Sequence, residues 1–213
     1  MSEIISTFIP ELIVGKDYND YMENIFNTLP ILGEDKLSIL DKLIPHAEDN
    51  GYWLEFGIHE GETIIHTAGC KLSTPDFKIF GFDSFEGLPE DWLQPETGHP
   101  NLKGHFNLNG KIPSHLLSLN NINIVKGWFD KSLPKFIKDN NINKISFLNI
   151  DSDLYSSANT ILTLLTPYFK GHCVINFDEF LHNNKDNIES CIPLGIGMPH
   201  GFSVASFIIK FKE

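Results

Sequence analysis

From Tyr52 onward the chain alternates short apolar runs with amphipathic stretches. The runs 52-YWLEF-56, 78-KIFGF-82, 122-INIV-125, 145-ISFLNI-150 and 173-CVINF-177 have the length and the branched and aromatic content of strands. Apolar residues at helical spacing follow near 61–71, 130–139 and 156–169. Repeated alternation of this kind predicts a mostly parallel sheet with helices on both faces, and such sheets take ligands at the carboxyl ends of their strands. The tail 202-FSVASFIIKF-211 alternates in and out, which predicts one arm of a closing antiparallel hairpin with a partner near 191-CIPLGIG-197. Ahead of Tyr52 the pattern is helical, over 18-YNDYMENIFNTL-29 and 34-EDKLSILDKLIPHA-47, punctuated by Gly33 and Pro45. We therefore expect a helical appendage over residues 1–50 and a single α/β domain over 51–213.

One segment breaks the rhythm. Residues 86-EGLPEDWLQPETGHPNLKGHFNLNG-110 are rich in Gly, Pro, Asn and His and long for a connection in a compact domain, which marks a lid or binding loop. A disordered surface insertion is the plainer alternative. Trp92, Leu93 and Phe106 favour the lid, because disordered insertions carry few large apolar groups.

Composition narrows the partners. At 213 residues and 41% hydrophobic content there is material for one substantial core. A formal charge of -12 provides no basic field for a nucleic-acid backbone or an anionic membrane surface, so neither is an expected partner. Cys70, Cys173 and Cys191 are odd in number and form no C-x-x-C pair, which speaks against a disulfide framework or zinc knuckle and for a reducing compartment. The opening residues lack the basic and cleavage features of a leader, and the longest apolar runs, such as 161-ILTLLTPYF-169, are too short to span a bilayer. The expectation is a soluble, cytoplasmic protein.

The chemistry concentrates where strands end. Asp151 and Asp153 follow the fourth run and Asp178 and Glu179 the fifth, where acids are costly unless something cationic binds them. At the first exit, 53-WLEFGIHEGET-63 supplies Glu55, Gly57 and Gly61 in a G-x-x-x-G spacing, not the G-x-G-x-x-G of a pyrophosphate site. An acid two residues before the first glycine suits an ammonium better than a phosphate. Asp83 closes the second run at the separation where nucleotide-binding α/β folds place an acid on ribose hydroxyls. A ligand with a ribose, a cationic amino group and no required phosphate fits S-adenosylmethionine better than a dinucleotide. Asp153 also reads as a helix N-cap before 154-LYSSANTILTLL-165, and Cys173 as a small buried residue. The pair His59 and His66 in 59-HEGETIIH-66 is spaced wrongly for a zinc-protease helix.

Five segments in order, WLEFGIHEGET, 80-FGFDSFEGLPEDW-92, 125-VKGWFDKSLP-134, 147-FLNIDSDLYSS-157 and 174-VINFDEF-180, resemble the macrocin O-methyltransferase-like (TylF-type) family of class I S-adenosylmethionine-dependent methyltransferases. The layout is similar to that of metal-dependent catechol-type O-methyltransferases. The resemblance spans roughly residues 50–180. It implies a Rossmann-like fold whose mostly parallel seven-stranded sheet ends in an antiparallel hairpin.

It further implies that Glu55 takes the methionine amino group, that Gly57, His59 and Gly61 line the methionine portion, and that Asp83, beside Ser84, accepts from the ribose. Gly127, Trp128 and Phe129 would then form the adenine pocket, although ordinary core packing accounts equally for Trp128. Asp151, Asp178 and Glu179 match the positions that hold a magnesium-type ion, with the departure that the second pair is often Asp-Asp. The implied reaction is methyl transfer to a hydroxyl of a small molecule, sugar or natural-product-like, with Asp151 as base and His99, His105 and His182 as outside candidates. Catechol-type enzymes use a lysine near the metal, and 151-DSDLY-155 contains none. In enzymes of this layout apolar N-terminal helices commonly contact a second subunit, the resemblance's one indication of a homo-oligomer. Two other readings stand beside it: a nucleotide-sugar glycosyltransferase using 151-DSD-153 as D-x-D, and a module that binds the cofactor without catalysis.

Overall fold

A computed structural model describes residues 35–92 and 101–178, and the backbone of two further strands at 195–197 and 204–210. In chain order the elements are α1 (Lys36–Leu43), β1 (Tyr52–Phe56), α2 (Glu62–Cys70), β2 (Ile79–Asp83), β3 (Ile122–Lys126), α3 (Phe129–Asn140), β4 (Ile145–Ile150), α4 (Tyr155–Leu165), β5 (His172–Phe177), β6 (Gly195–Gly197) and β7 (Val204–Lys210). They build one seven-stranded sheet of order β3-β2-β1-β4-β5-β7-β6. Strands β1 to β5 are parallel, and β7 joins β5 antiparallel with β6 on its far side. The expected architecture, strand by strand, is the observed one. The helical reading of 18–29 lies outside the described residues.

Both faces of the sheet are covered, and strand alternation decides which residue goes where. Leu54, Phe56, Phe82, Leu148, Ile150 and Ile175 join Leu133 and Phe136 of α3 and Ile161 and Leu165 of α4 in one cluster. Trp53, Ile79, Phe147 and Val174 face the other way, against Ile64 and Ala68 of α2 and Ile39, Leu40 and Leu43 of α1. Within the second cluster Trp53 stacks on Phe147 at 4.7 Å. Helix α1 starts with a capping box in which Asp35 accepts from the Ser38 backbone N–H and the Ser38 side chain caps in return. Its apolar stripe is buried in the sheet-facing core, which fixes where its first residue, Lys36, stands.

The parallel hydrogen-bond ladder runs one residue beyond β1, β3, β4 and β5. Gly57 N–H donates to Phe82 O, Asp151 N–H to Phe56 O, Asp178 N–H to Ile150 O and Gly127 N–H to Asp83 O, all at 2.9 Å. Because register is shared across the sheet, Asp83, Gly57, Asp151 and Asp178 form one row along its carboxyl edge, with Gly127 one residue beyond the Lys126 that pairs with Asp83. Gly57 in the middle of that row has φ +84, and a Cβ there would lie 1.6 Å from the Asp151 carbonyl oxygen.

Gly57→Ala is therefore expected to destabilise the protein by roughly 2–4 kcal/mol, since it adds a clash to a positive φ. Gly69→Ala, at an open position of α2 with nothing within 4 Å, should stabilise by about 0.5–1 kcal/mol. Urea midpoints of the two variants against the parent check both signs.

Candidate active site

The row at the sheet edge floors a cavity of about 1320 Å³. Ligand pockets commonly measure roughly 300–1,000 Å³, so this one has room for more than a single small molecule. Gly57, His59, Gly61, Asp83, Ser84, Trp128, Phe129, Asp151 and Asp178 lie on its wall, together with Lys36 and, from the segment after β2, Leu88, Trp92 and Phe106. The five strand exits and α1 thus converge on one space.

Asp83 organises the β1 and β2 exits. One carboxylate oxygen accepts from the His59 N–H at 2.8 Å and the other from the Phe85 N–H at 2.7 Å. Each oxygen keeps a lone pair for a further donor. Burial raises the Asp83 pKa, and the two backbone N–H groups partly offset this. His59 adopts a left-handed backbone with φ 45, which turns its N–H back onto Asp83. Ser84 accepts from the Glu86 N–H through its hydroxyl. Gly61, at φ 89, opens α2 with no side-chain cap.

Glu55 lies behind the wall rather than on it. It is fully buried, accepts a 2.6 Å bond from the Thr63 hydroxyl on Oε1, and leaves Oε2 with no hydrogen-bond partner. Burial pushes its carboxyl up to about 7, partly offset by Thr63 and the Asn149 amide. Its neighbours at the same level of the sheet are Gly81 and Asn149 by register, and Asn149 in turn accepts from Asn176 at 2.7 Å. An orphaned carboxylate oxygen one layer under a glycine-floored cavity has no packing reason to be there.

The largest departure from expectation is at Asp151 and Asp178. The Lys36 Nζ from α1 stands 3.0 Å from Asp151 Oδ2 and 2.5 Å from Asp178 Oδ2. Burial opposes the charge of Lys36, but the two carboxylates outweigh it and raise its pKa. Asp178 is raised well above the usual carboxylate range by burial first and by the Asp151 charge second, with Lys36 pulling the other way. Two acids sharing one ammonium leave one negative charge uncompensated, and the deeper acid carries that cost. The segment 151–155 holds no lysine, yet one reaches the acid pair from 115 residues away.

The other expected site residues divide. Glu179, His99 and His182 lie outside the described residues. His105 is exposed, is not on the cavity wall, and packs its ring at 4.3 Å on Phe106. Gly127 follows β3 with φ 137 and is not on the cavity wall, whereas Trp128 and Phe129 are, and the Phe129 ring meets Phe56 edge-on at 5.2 Å. Asp153 is not the N-cap of α4. That position is Leu154, while Asp153 takes a left-handed φ of 58 and lies on the cavity wall. The turn after β4 uses one more residue than a capped helix start would. Cys173 is buried, its thiol pushed up by burial, as a core residue should be.

The segment after β2 is folded where it is described. Its base is pinned by Leu108 and Gly110 N–H groups donating to Phe85 O. Bridges Glu86 to Asn107 and Trp92 to Asn101 pair its two arms. Trp92 and Leu88 pack on Leu154, and the Ser156 hydroxyl of α4 bonds Glu90. Phe106 comes within 5.7 Å of the His59 ring over the cavity. Among the described residues no helix is long and apolar enough to cross a membrane.

The fold, a parallel sheet that reverses only in its last hairpin, is similar to that of solved methyltransferases. A calicheamicin methyltransferase, CalS11, superposes with TM-score 0.56 at 20% identity over 89% of this chain and 73% of that one. The O-methyltransferase NovP does so with TM-score 0.52 at 20% identity over 69% of this chain and 66% of its own. The family profile of macrocin O-methyltransferase (TylF) matches residues 27–189, well over half of the sequence, and the chain belongs to that family. Among curated proteins none gives a significant sequence match. The family is one of methyl-transferring enzymes, not of the glycosyltransferases that a D-x-D reading of 151–153 suggested.

Glu55 gives a pH prediction with a defined sign. Its folded-state pKa is raised, so between about 4.5 and 7 the folded chain keeps a proton that the unfolded chain has released. Stability therefore falls as pH rises through that window and levels off above it. Glu55→Gln removes this contribution. In ligand-free protein the variant should match the parent near pH 4.5 and exceed it by up to roughly 3 kcal/mol above pH 7, as read from paired denaturation curves.

Proposed function

We propose that the protein transfers a methyl group from S-adenosylmethionine to a hydroxyl of a small, sugar-like or natural-product acceptor, with a divalent cation at Asp151, Asp178 and Glu179. The observation that carries this reading is the edge row itself. Cofactor-type groups stand on the β1 to β3 side, and two acids converge on one cation on the β4 and β5 side.

Glu55 is the partner for the methionine ammonium, which would satisfy its orphaned Oε2 and restore its ordinary charge. Gly57 and Gly61 leave the backbone bare where the methionine chain must lie close. The free lone pairs of Asp83 take the ribose hydroxyls, Ser84 and His59 flank them, and Trp128 with Phe129 offers apolar surface to adenine. The segment 86–110 acts as the lid, with Leu88, Trp92 and Phe106 shielding the reacting atoms from water. The acceptor then occupies the remaining volume beside Asp151, Ser156 and Lys36.

The acid pair fits a hard cation by the test of its own side chains: two carboxylates already converge on a single positive atom, the Lys36 ammonium. A magnesium-type ion there supplies Lewis-acid activation and orientation to the acceptor hydroxyl. Asp151 takes the hydroxyl proton. The acceptor oxygen attacks the methyl carbon in line, the carbon–sulfur bond breaks with its electron pair going to sulfur, and the sulfonium becomes the neutral thioether of S-adenosylhomocysteine. Lys36 must release the pair for a divalent ion to enter, so its ammonium and the metal compete for the same oxygens. Its side chain is 43% exposed and can swing into the cavity without moving the buried stripe of α1.

Three measurements test the reading. S-adenosylhomocysteine at millimolar concentration should raise the melting temperature, and Glu55→Gln should weaken its binding by tenfold or more, about 1.4 kcal/mol or above. No thermal shift with the parent protein would refute the donor assignment. Asp151→Ala should abolish turnover on an accepted hydroxyl substrate while still binding S-adenosylhomocysteine, whereas a merely binding module would have no turnover to lose. Lys36→Met, by removing the competitor, should tighten Mn²⁺ binding measured calorimetrically by about tenfold or more. Unchanged Mn²⁺ affinity would show that Lys36 does not guard the pair.

A further inference from the structure

A second group of metal-ligating side chains lies away from the cavity, on the outer surface where α1 crosses α2. His66 and Cys70 are four apart on α2 and so share one face, and Asp41 of α1 reaches across to both. The His66 Nε2 is 2.8 Å from Asp41 Oδ1, the Cys70 Sγ is 3.6 Å from the same oxygen, and Sγ and Nε2 are 3.7 Å apart. None of the three takes part in the methyl-transfer site.

We propose that Asp41, His66 and Cys70 form a binding site for a borderline-soft divalent transition ion, Zn²⁺ or its relatives, that ties α1 to α2. Metal–ligand lengths of about 2.0–2.2 Å to nitrogen and oxygen and about 2.3 Å to sulfur in a tetrahedron require donor atoms about 3.4–3.6 Å apart. The two sulfur distances already match that edge length, and only the hydrogen-bonded nitrogen–oxygen pair must open. Three protein ligands leave one tetrahedral position for water or an outside ligand. Mixed thiolate, imidazole and carboxylate donors select zinc-like ions over magnesium, the reverse of the all-oxygen pair at Asp151 and Asp178. The chain thus offers two cation sites of opposite preference at the two ends of α1, one holding Lys36 in its first turn and one holding Asp41 in its last. Binding breaks the Cys70 S–H bond, leaves its electron pair on sulfur as the thiolate ligand and sends the proton to solvent.

The exchange of Co²⁺ for Zn²⁺ tests this on the full chain, stripped of metal and kept in excess Mg²⁺ and under reducing conditions. One equivalent of Co²⁺ should produce the thiolate-to-cobalt charge-transfer absorption and the strong visible bands of a four-coordinate ion, and Zn²⁺ should erase both. Cys70→Ser should lose the charge-transfer band. Asp41→Asn keeps the hydrogen-bonding shape of the side chain; in it the band should survive with affinity reduced by about tenfold or more. A spectrum without thiolate character, or a band that persists in Cys70→Ser, overturns the proposal, and so does undiminished affinity in Asp41→Asn. The trio is then a hydrogen-bonded clasp between two helices and nothing more.

Discussion

Parallel strands in register end in register, and this constraint governs the molecule. Continuing the hydrogen-bond ladder one residue past β1, β4 and β5 lines up Gly57, Asp151 and Asp178 with Asp83, the last residue of β2, at a single height. Alternation then turns them toward the face covered by α1 and α2, because Trp53, Ile79, Phe147 and Val174 of the same strands face that way. Two acids in adjacent strands at that height repel each other, and burial makes the repulsion worse. Folding α1 onto the sheet answers this, since the stripe of Ile39, Leu40 and Leu43 that buries the helix also delivers Lys36 to the acids. Core packing and site electrostatics are therefore one problem solved by one helix.

The same alternation explains a second polar layer beneath the first. Glu55, Asn149 and Asn176 occupy one level on β1, β4 and β5, and the two asparagines bond each other while Glu55 is left half-satisfied. A buried carboxyl with a spare oxygen under a bare glycine is a poor device for stability and a good one for holding a cation. The stability cost and the ligand affinity are two faces of one desolvation. In the proposed function, the cofactor half of the cavity would draw its specificity from Glu55 and the acceptor half from the acid pair that Lys36 bridges.

Much of this was legible in the chain before folding. Short apolar runs bounded by polar residues located the five parallel strands within a residue or two, and the acids at their ends located the cavity, because local spacing alone carries that information. What spacing cannot carry is a contact between distant segments. Lys36 stands in a helix whose pattern advertises only a buried stripe, and nothing near 151–155 signals that an ammonium arrives from elsewhere. Asp153 looked like a cap because acids before helices usually are, and the extra residue in a left-handed turn moved the cap to Leu154. Likewise Asp41, His66 and Cys70 are unremarkable singly and meet only because α1 crosses α2.

The central claim is that a divalent ion and Lys36 are alternative occupants of one pair of carboxylates, next to a bound sulfonium cofactor. Crystals grown with Mn²⁺ and S-adenosylhomocysteine, measured at the manganese edge, address it in a single anomalous difference map. The account predicts one strong peak between Asp151 and Asp178, Lys36 turned out of the pair, and the cofactor's amino group on Glu55. A map with Lys36 still bridging the two acids and manganese elsewhere, or with the cofactor away from Gly57, would contradict it.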